Sequence, residues 1–82
     1  MSANALPRIY FDTNDGWEKD TYSLDLAGSL EDIRCLGDSL HIGMRVLLYM
    51  TDELEVEATL EYDNEHKIWL GRADWSTIRY LQ

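Results

Sequence analysis

Several residue types that support particular chemistries are scarce in this chain of 82 residues. Cys35 is the only cysteine, so an internal disulfide is excluded, which is typical of proteins from a reducing compartment. His41 and His66 are the only histidines, whereas a zinc site needs three or four ligands. No spacing of paired metal ligands is present either. We therefore expect neither a metal ion nor another cofactor.

Long apolar stretches are also missing. The longest unbroken apolar run, residues 46–50, is far shorter than a helix that spans a bilayer. Residues 1–7 contain neither the basic segment nor the apolar segment of a signal peptide. Together with the single cysteine, these absences predict a cytoplasmic protein that does not enter a membrane.

Basic residues are also few. Seven Lys and Arg residues stand against sixteen Asp and Glu residues, which gives a net charge of −9. Proteins that bind nucleic acids gain most of their affinity from basic side chains that neutralise phosphates, and anionic membranes attract the same side chains. We therefore expect no nucleic acid and no membrane as partner. A basic protein partner is compatible with this charge.

The N-terminal half contains short elements of a single domain that covers residues 1–82. Residues 1–7 are expected to be a loose lead-in, and residues 8–11 combine β-branched and aromatic side chains that favour a strand. Residues 12–16 are a dense cluster of turn formers. The partial alternation in residues 17–26 indicates a second short strand or an extended loop.

One helix is predicted over residues 30–36, where apolar side chains recur every three residues. Ser29 is placed to cap its free amide groups, and Asp32 occupies the position of a capping-box acid. Gly37 is expected to end the helix because glycine adopts the left-handed conformation at little cost.

The C-terminal half is expected to be a meander of strands. Its strongest signal is the segment 54–62, in which four aliphatic residues and a tyrosine alternate with three glutamates and a threonine. That period of two predicts a strand with one buried face and one solvated face. The neighbouring predictions are a strand at 44–50, a hairpin loop at 63–66, a return strand at 67–73, a brief turn or 3₁₀ turn at 74–77, and a last strand at 78–81.

The register of the central hairpin was predicted from charge and side-chain pairing. A loop at 63–66 places Leu60 opposite Trp69, which then faces the core, and Glu57 opposite Arg72. A loop shorter by one residue places Leu60 opposite Ile68 and turns Trp69 outward, because a slip of one residue exchanges the two faces. The first register is favoured since it pairs opposite charges.

This arrangement resembles the SH3-like small β-barrels over residues 40–82. The resemblance implies a mainly β (α+β) fold, an SH3-like barrel of about five short antiparallel strands, with the short helix near 30–36. It also implies an interaction module rather than an enzyme. The chain lacks the Ala-Leu-Tyr-Asp-Tyr run of the peptide-binding members, so proline-rich peptides are not expected as partners. The resemblance rests on residues 43–49, the strand from Leu54, residues 68–70 and residues 75–78.

No candidate for catalysis or calcium binding survives a check of spacing. If Gly16 occupied position six of an EF-hand loop, Phe11 and Tyr22 would fall at ligand positions, where they cannot coordinate the ion. Glu55 and Glu57 are expected side by side on the outer face of a strand, where open solvent provides nothing to raise the pKa of a general acid. We therefore expect that the protein is not an enzyme.

Aromatic residues beside acids suggest a binding surface instead. Trp17 and Trp75 lie in turn-like stretches beside acids, a combination common at binding hot spots, and Tyr22 is expected to join them on one contact surface. They predict a non-catalytic module that binds a protein partner. One alternative is an acidic inhibitor, antitoxin-like or nucleic-acid mimic, whose Glu55 and Glu57 occupy a basic site.

A second alternative is a homo-oligomeric structural protein, such as a homodimer. It would be built by edge pairing of strands 8–11 or 78–81.

Overall fold

The computed structural model of the protein describes residues 6–81. Within them, seven short strands and one helix form a mostly β structure, so the predicted α+β class is confirmed. The expected lead-in falls largely on residues 1–5, which lie outside the described residues. The elements are β1 (Arg8–Tyr10), β2 (Gly16–Glu18), β3 (Thr21–Ser23), α1 (Ala27–Leu36), β4 (Arg45–Met50), β5 (Leu54–Asp63), β6 (Ile68–Ala73) and β7 (Arg79–Tyr80), with 3₁₀ turns at Gly37–Ser39 and Trp75–Thr77.

The strands form one open sheet in the order β1-β4-β5-β6-β3-β2. The long strand β5 is shared by three partners, because β4 lies along one side while β6 and β7 divide the other. All pairs are antiparallel except β1 with β4, which run parallel. The sheet therefore differs from the expected five antiparallel strands in strand number and in this parallel pair.

The alternating segment behaves as predicted, because 54–63 is one strand. Val56, Ala58 and Leu60 are completely buried, whereas Glu57 and Thr59 between them point to the other face. Burial of each larger aliphatic side chain stabilises the folded state by roughly 1.5–3 kcal/mol. The buried face of β5 therefore contributes strongly to the stability of the fold. Phe11 is completely buried in the same core.

Gly71 lies where the curled sheet brings β6 close to a side chain of β4. It lies opposite Leu60, and a Cβ atom at this position would come within 2.9 Å of the Cδ1 atom of Leu48 on β4. Since β5 lies between these two strands, the contact is made across the concave face. Only glycine leaves room for this approach without displacing a completely buried leucine.

Both predicted registers of the β5–β6 hairpin are wrong. The structure pairs Tyr62 with Trp69 and Leu60 with Gly71, so the turn occupies residues 64–67. The carbonyl of Asp63 accepts a hydrogen bond from the amide of Lys67 (2.7 Å), which has the left-handed φ of 60°. The local hydrogen bonds of this turn therefore determine the register.

Trp69 nevertheless lies on the core side, where it packs against the ring of Tyr62 at a centroid distance of 4.8 Å. The predicted pairing of Glu57 with Arg72 is absent. Arg72 binds Glu61 on the same face instead, with its Nε atom 2.8 Å from a carboxylate oxygen.

The helix begins three residues earlier than predicted, at Ala27, and Ser29 does not cap it. Ser29 is buried and donates its hydroxyl to the carbonyl of Tyr10. Asp32 likewise accepts hydrogen bonds from the amide of Tyr10 (2.9 Å) and from the hydroxyl of Tyr49 (3.0 Å). Both predicted capping residues therefore bind the outer edge of β1. The stop at Gly37 is confirmed, with a φ of 53°.

The remaining boundaries differ by a few residues. The extended stretch 17–26 contains the end of β2 and all of β3, and the predicted 3₁₀ turn before the last strand is present. The strands predicted at 44–50, 67–73 and 78–81 are each shorter than expected. Pro7 already belongs to the sheet, because its carbonyl accepts a hydrogen bond from the amide of Leu47 (2.8 Å).

Candidate functional site

Two of the three predicted aromatic residues meet at one end of the sheet. The rings of Tyr22 and Trp75 are perpendicular, with centroids 6.0 Å apart, and both side chains are half-buried. Tyr22 also packs edge-on against Phe11, at 5.3 Å. Burial raises the pKa of Tyr22, and the negative charge of Asp20 raises it further. The phenol is therefore neutral at physiological pH.

The β2–β3 turn holds Trp75 in place. Asp20 has a left-handed φ of 62°, and its carboxylate accepts a hydrogen bond from the indole Nε1 atom of Trp75 (2.9 Å). The carbonyl of Asp20 also accepts one from the amide of Ala73 (2.7 Å), at the end of β6. One residue thus fixes both the strand that precedes Trp75 and the indole itself.

The 3₁₀ turn that carries Trp75 is capped by Asp74. Its carboxylate accepts hydrogen bonds from the hydroxyl (2.6 Å) and the amide (3.2 Å) of Ser76. These bonds lower the pKa of Asp74, and the guanidinium of Arg45 lowers it further. The turn is therefore held by an ionised carboxylate at neutral pH.

Glu57 is joined to this turn by an arginine that it shares with Asp74. Arg45 lies 3.2 Å from the carboxylate of Glu57 and 2.9 Å from that of Asp74. The amide of Glu57 donates a hydrogen bond to the hydroxyl of Thr77 (2.9 Å), which ties β5 to the same turn. The structure thus places Glu57 next to the aromatic pair through one shared arginine.

Glu55 is less exposed than the sequence predicted. Its side chain is only 14% exposed and is paired with Arg79 (3.1 Å) and Arg8 (3.6 Å). The guanidinium of Arg8 also lies 4.4 Å from the centre of the Tyr49 ring. The glutamates of β5 are therefore not the free, solvated row that was expected, because Glu55 and its neighbours on this face are each paired with arginine.

Trp17 makes its aromatic contact elsewhere. It packs edge-on against the imidazole of His66, with centroids 5.2 Å apart. The Nδ1 atom of His66 lies 2.6 Å from a carboxylate oxygen of Asp63, and this hydrogen bond lowers the pKa of Asp63. The three predicted aromatic residues therefore belong to two contacts, one at Tyr22–Trp75 and one at Trp17–His66.

The negative charge that arginines do not balance is concentrated around β2. We call residues 12–25 the acidic segment. It contains five acids and only one base, Lys19, and none of these acids forms an ion pair among the described residues. Glu18 and Asp20 also raise the pKa of Arg72, after the larger effect of its hydrogen bond to Glu61. A count of charged residues along the sequence is enough to identify this segment. The five acids are Asp12, Asp15, Glu18, Asp20 and Asp25.

The residues considered for metal or nucleophile chemistry do not converge. Cys35 is exposed on the last turn of α1. The Nδ1 atom of His41 lies 3.0 Å from the carbonyl of Ser39. Over residues 6–81, no group of three or more His, Cys, Asp or Glu side chains is arranged to hold a metal ion.

Comparison of this chain with models of protein families, with curated proteins and with solved structures finds no match. The contacts described above therefore carry the functional argument alone. In the part of the chain that the structure describes, no helix has both the length and the apolar character needed to cross a membrane.

Proposed function

We propose that this protein is a non-catalytic interaction module that binds a protein partner. The observation that carries the proposal is the Tyr22–Trp75 pair, two half-buried aromatic rings held in fixed positions beside carboxylates. Trp and Tyr dominate the energy of many protein interfaces because each offers a large contact area with few rotatable bonds. Trp17 adds a second aromatic contact point on β2.

Pre-organisation supports this interpretation. The indole of Trp75 is fixed by Asp20, and the turn below it is capped by Asp74. A side chain that is already ordered loses little conformational entropy when a partner binds. The aromatic pair is thus better suited to recognition than a freely rotating surface tryptophan.

We further propose that the curled sheet is of the SH3-like barrel kind. Support comes from the 3₁₀ turn Trp75–Thr77 directly before the last strand and from the division of β5 between β6 and β7. Barrels of this kind are used as interaction modules more often than as enzymes. The single, exposed Cys35 is consistent with the cytoplasm as the place where the module works.

A peptide library displayed on phage tests the proposal directly. We expect selection on the immobilised domain to yield peptides whose affinity falls at least about tenfold in Trp75→Phe. This variant keeps an aromatic ring but loses the indole N–H that donates to Asp20. Tyr80→Ala is the control, because Tyr80 is a highly exposed aromatic residue on β7. A library that yields no binder, or binders equally affected by both variants, would contradict the proposal.

The acidic segment favours a second candidate, an acidic inhibitor or nucleic-acid mimic. Glu55 and Glu57 are already paired with arginines, so carboxylates of the acidic segment such as Glu18 would occupy the basic site. This function predicts that the domain displaces duplex DNA from basic DNA-binding proteins at low salt and that Glu18→Lys reduces the displacement. Failure to displace DNA from any of them would eliminate this candidate.

The third interpretation is a homo-oligomer, for which residues 8–11 and 78–81 were the two candidate pairing edges. Both backbone groups of Tyr10 on β1 are bound by side chains of α1, which leaves the strand at 79–80 as the remaining site for pairing. Sedimentation analysis over a range of concentrations tests it, and a monomer throughout would exclude it.

A further inference from the structure

The two edge strands of the sheet, β1 and β2, differ in whether their outer backbone groups are bound. At one end, Ser29 and Asp32 of α1 bind the carbonyl and the amide of Tyr10, so these two groups of β1 are not available to another strand. At the other end, β2 pairs with β3 only, and no strand or helix of the described residues pairs with its outer side. Unpaired backbone groups at a sheet edge are a template for adding an extended chain.

The charge around β2 determines which chain can be added. The acidic segment carries five acids and Lys19, and its carboxylates form no ion pair within the described residues. A second copy of this edge would bring two acidic segments together, and like charges that face each other across paired strands are destabilising. A segment rich in Lys and Arg would instead bring opposite charges together.

Trp17 supplies an attractive contact for such a segment. It is the middle residue of β2 and is half-buried, with its ring against His66. Tryptophan is the aromatic residue that binds Lys and Arg best through its ring face. The strand is short, and its register shifts between Gly16 and Glu18, so the edge offers a few backbone groups rather than a long zipper.

We propose that the outer edge of β2 binds an extended, Lys- and Arg-rich peptide segment as an additional strand. Backbone hydrogen bonds along the outer side of residues 16–18 would provide the pairing, and the acidic segment would select for positive side chains. This inference rests on the proposed function, because it assigns a site and a partner chemistry to the interaction module.

The test uses the intact domain and a short peptide of alternating lysine and threonine, followed by NMR amide shifts. We expect the largest shifts at residues 15–18 and an affinity that falls about tenfold in Glu18→Lys. Glu53→Lys is the matched control, because it makes the same change of charge at an exposed position in the β4–β5 turn. That variant is expected to change the affinity less than about threefold.

Backbone pairing is tested with two versions of the peptide, N-methylated at its odd or at its even residues. Only one set of amides faces a neighbouring strand, so one version should lose binding while the other keeps it. Equal binding of both versions, or equal weakening by Glu18→Lys and Glu53→Lys, would overturn the inference.

The outcome also separates this inference from the function on which it rests. If library-selected peptides shift the NMR signals of Tyr22 and Trp75 but not those of residues 15–18, the proposal of an interaction module is supported and the β2 site is contradicted. A library that yields no binding peptide at all would contradict both the interaction module and the β2 site.

Discussion

The two edges of the sheet differ in what covers them. At β1, the helix α1 takes the place of a neighbouring strand, because a hydroxyl and a carboxylate satisfy the backbone groups of Tyr10. At β2, no such cover is present among residues 6–81, and the surrounding charge is strongly negative. Covering an edge prevents association, whereas an open, charged edge restricts association to chains of opposite charge.

The covered edge has a cost that is visible in the helix itself. Ser29 would be a good N-cap residue, yet it lies inside α1, and Leu26 occupies the cap position without a side-chain hydrogen bond. Loss of a capping hydrogen bond costs about 1 kcal/mol. The bond from Ser29 to Tyr10 offsets this cost by satisfying a carbonyl group that would otherwise lack a partner.

The largest expected effect comes from removing the carboxylate that binds β1. Asp32→Ala leaves the amide of Tyr10 and the hydroxyl of Tyr49 without their acceptor, so we expect a loss of about 2–3 kcal/mol in the free energy of unfolding. Urea denaturation measures it, with Asp38→Ala on the exposed 3₁₀ turn as the control.

Hydrogen exchange gives a local readout of the same change. The amide of Tyr10 should exchange slowly in the wild type and quickly in Asp32→Ala, whereas the amide of Gly16, which faces outward from β2, should exchange quickly in both. Unchanged exchange at Tyr10 would show that Asp32 does not seal this edge.

A smaller effect is expected for the other group that binds β1. Ser29→Ala removes the donor to the carbonyl of Tyr10 at a completely buried position, and an unsatisfied carbonyl there costs about 1–2 kcal/mol. Ser39→Ala is the control, because Ser39 is exposed. If the two variants unfold at the same urea concentration, the hydroxyl of Ser29 contributes nothing to closing the edge.

The smallest expected effect lies beside the open edge, where His66 contacts both Trp17 and Asp63. Because hydrogen bonds lower the pKa of Asp63, its contribution to stability is complete above the ordinary value of 3.8 and disappears as the pH falls through the lower folded value. An NMR titration of the Asp63 carboxyl carbon should give a midpoint below 3.8, and His66→Ala should move it upward. An identical midpoint in both proteins would contradict the contact.

Local patterns predicted the parts of this fold that depend on neighbouring residues. The alternation in 54–62, the glycine stop at Gly37 and the brief turn before the last strand all reflect short-range preferences, and the structure confirms them. The hairpin register was wrong because it depends on a left-handed Lys67, a residue type that carries no signal for that conformation.

The candidate site was harder to predict because its partners are distant in the sequence. Trp75 was singled out from its own neighbours, but its bond to Asp20 joins positions 55 residues apart. Ser29 and Asp32 looked like capping residues because their true partner, Tyr10, is supplied by the packing of the helix on β1. Periodicity and turn preferences contain no information about such long-range contacts.

The parallel pairing of β1 with β4 sets an order of events during synthesis and folding. The ribosome makes β1 first, but its partner β4 follows only after β2, β3 and α1 have been made, and β3 waits longer still for β6. Pairings between residues far apart in the chain close large loops and form slowly. We expect the β4–β5–β6 meander to assemble first and the N-terminal third to join it only after Ala73 has left the ribosomal tunnel.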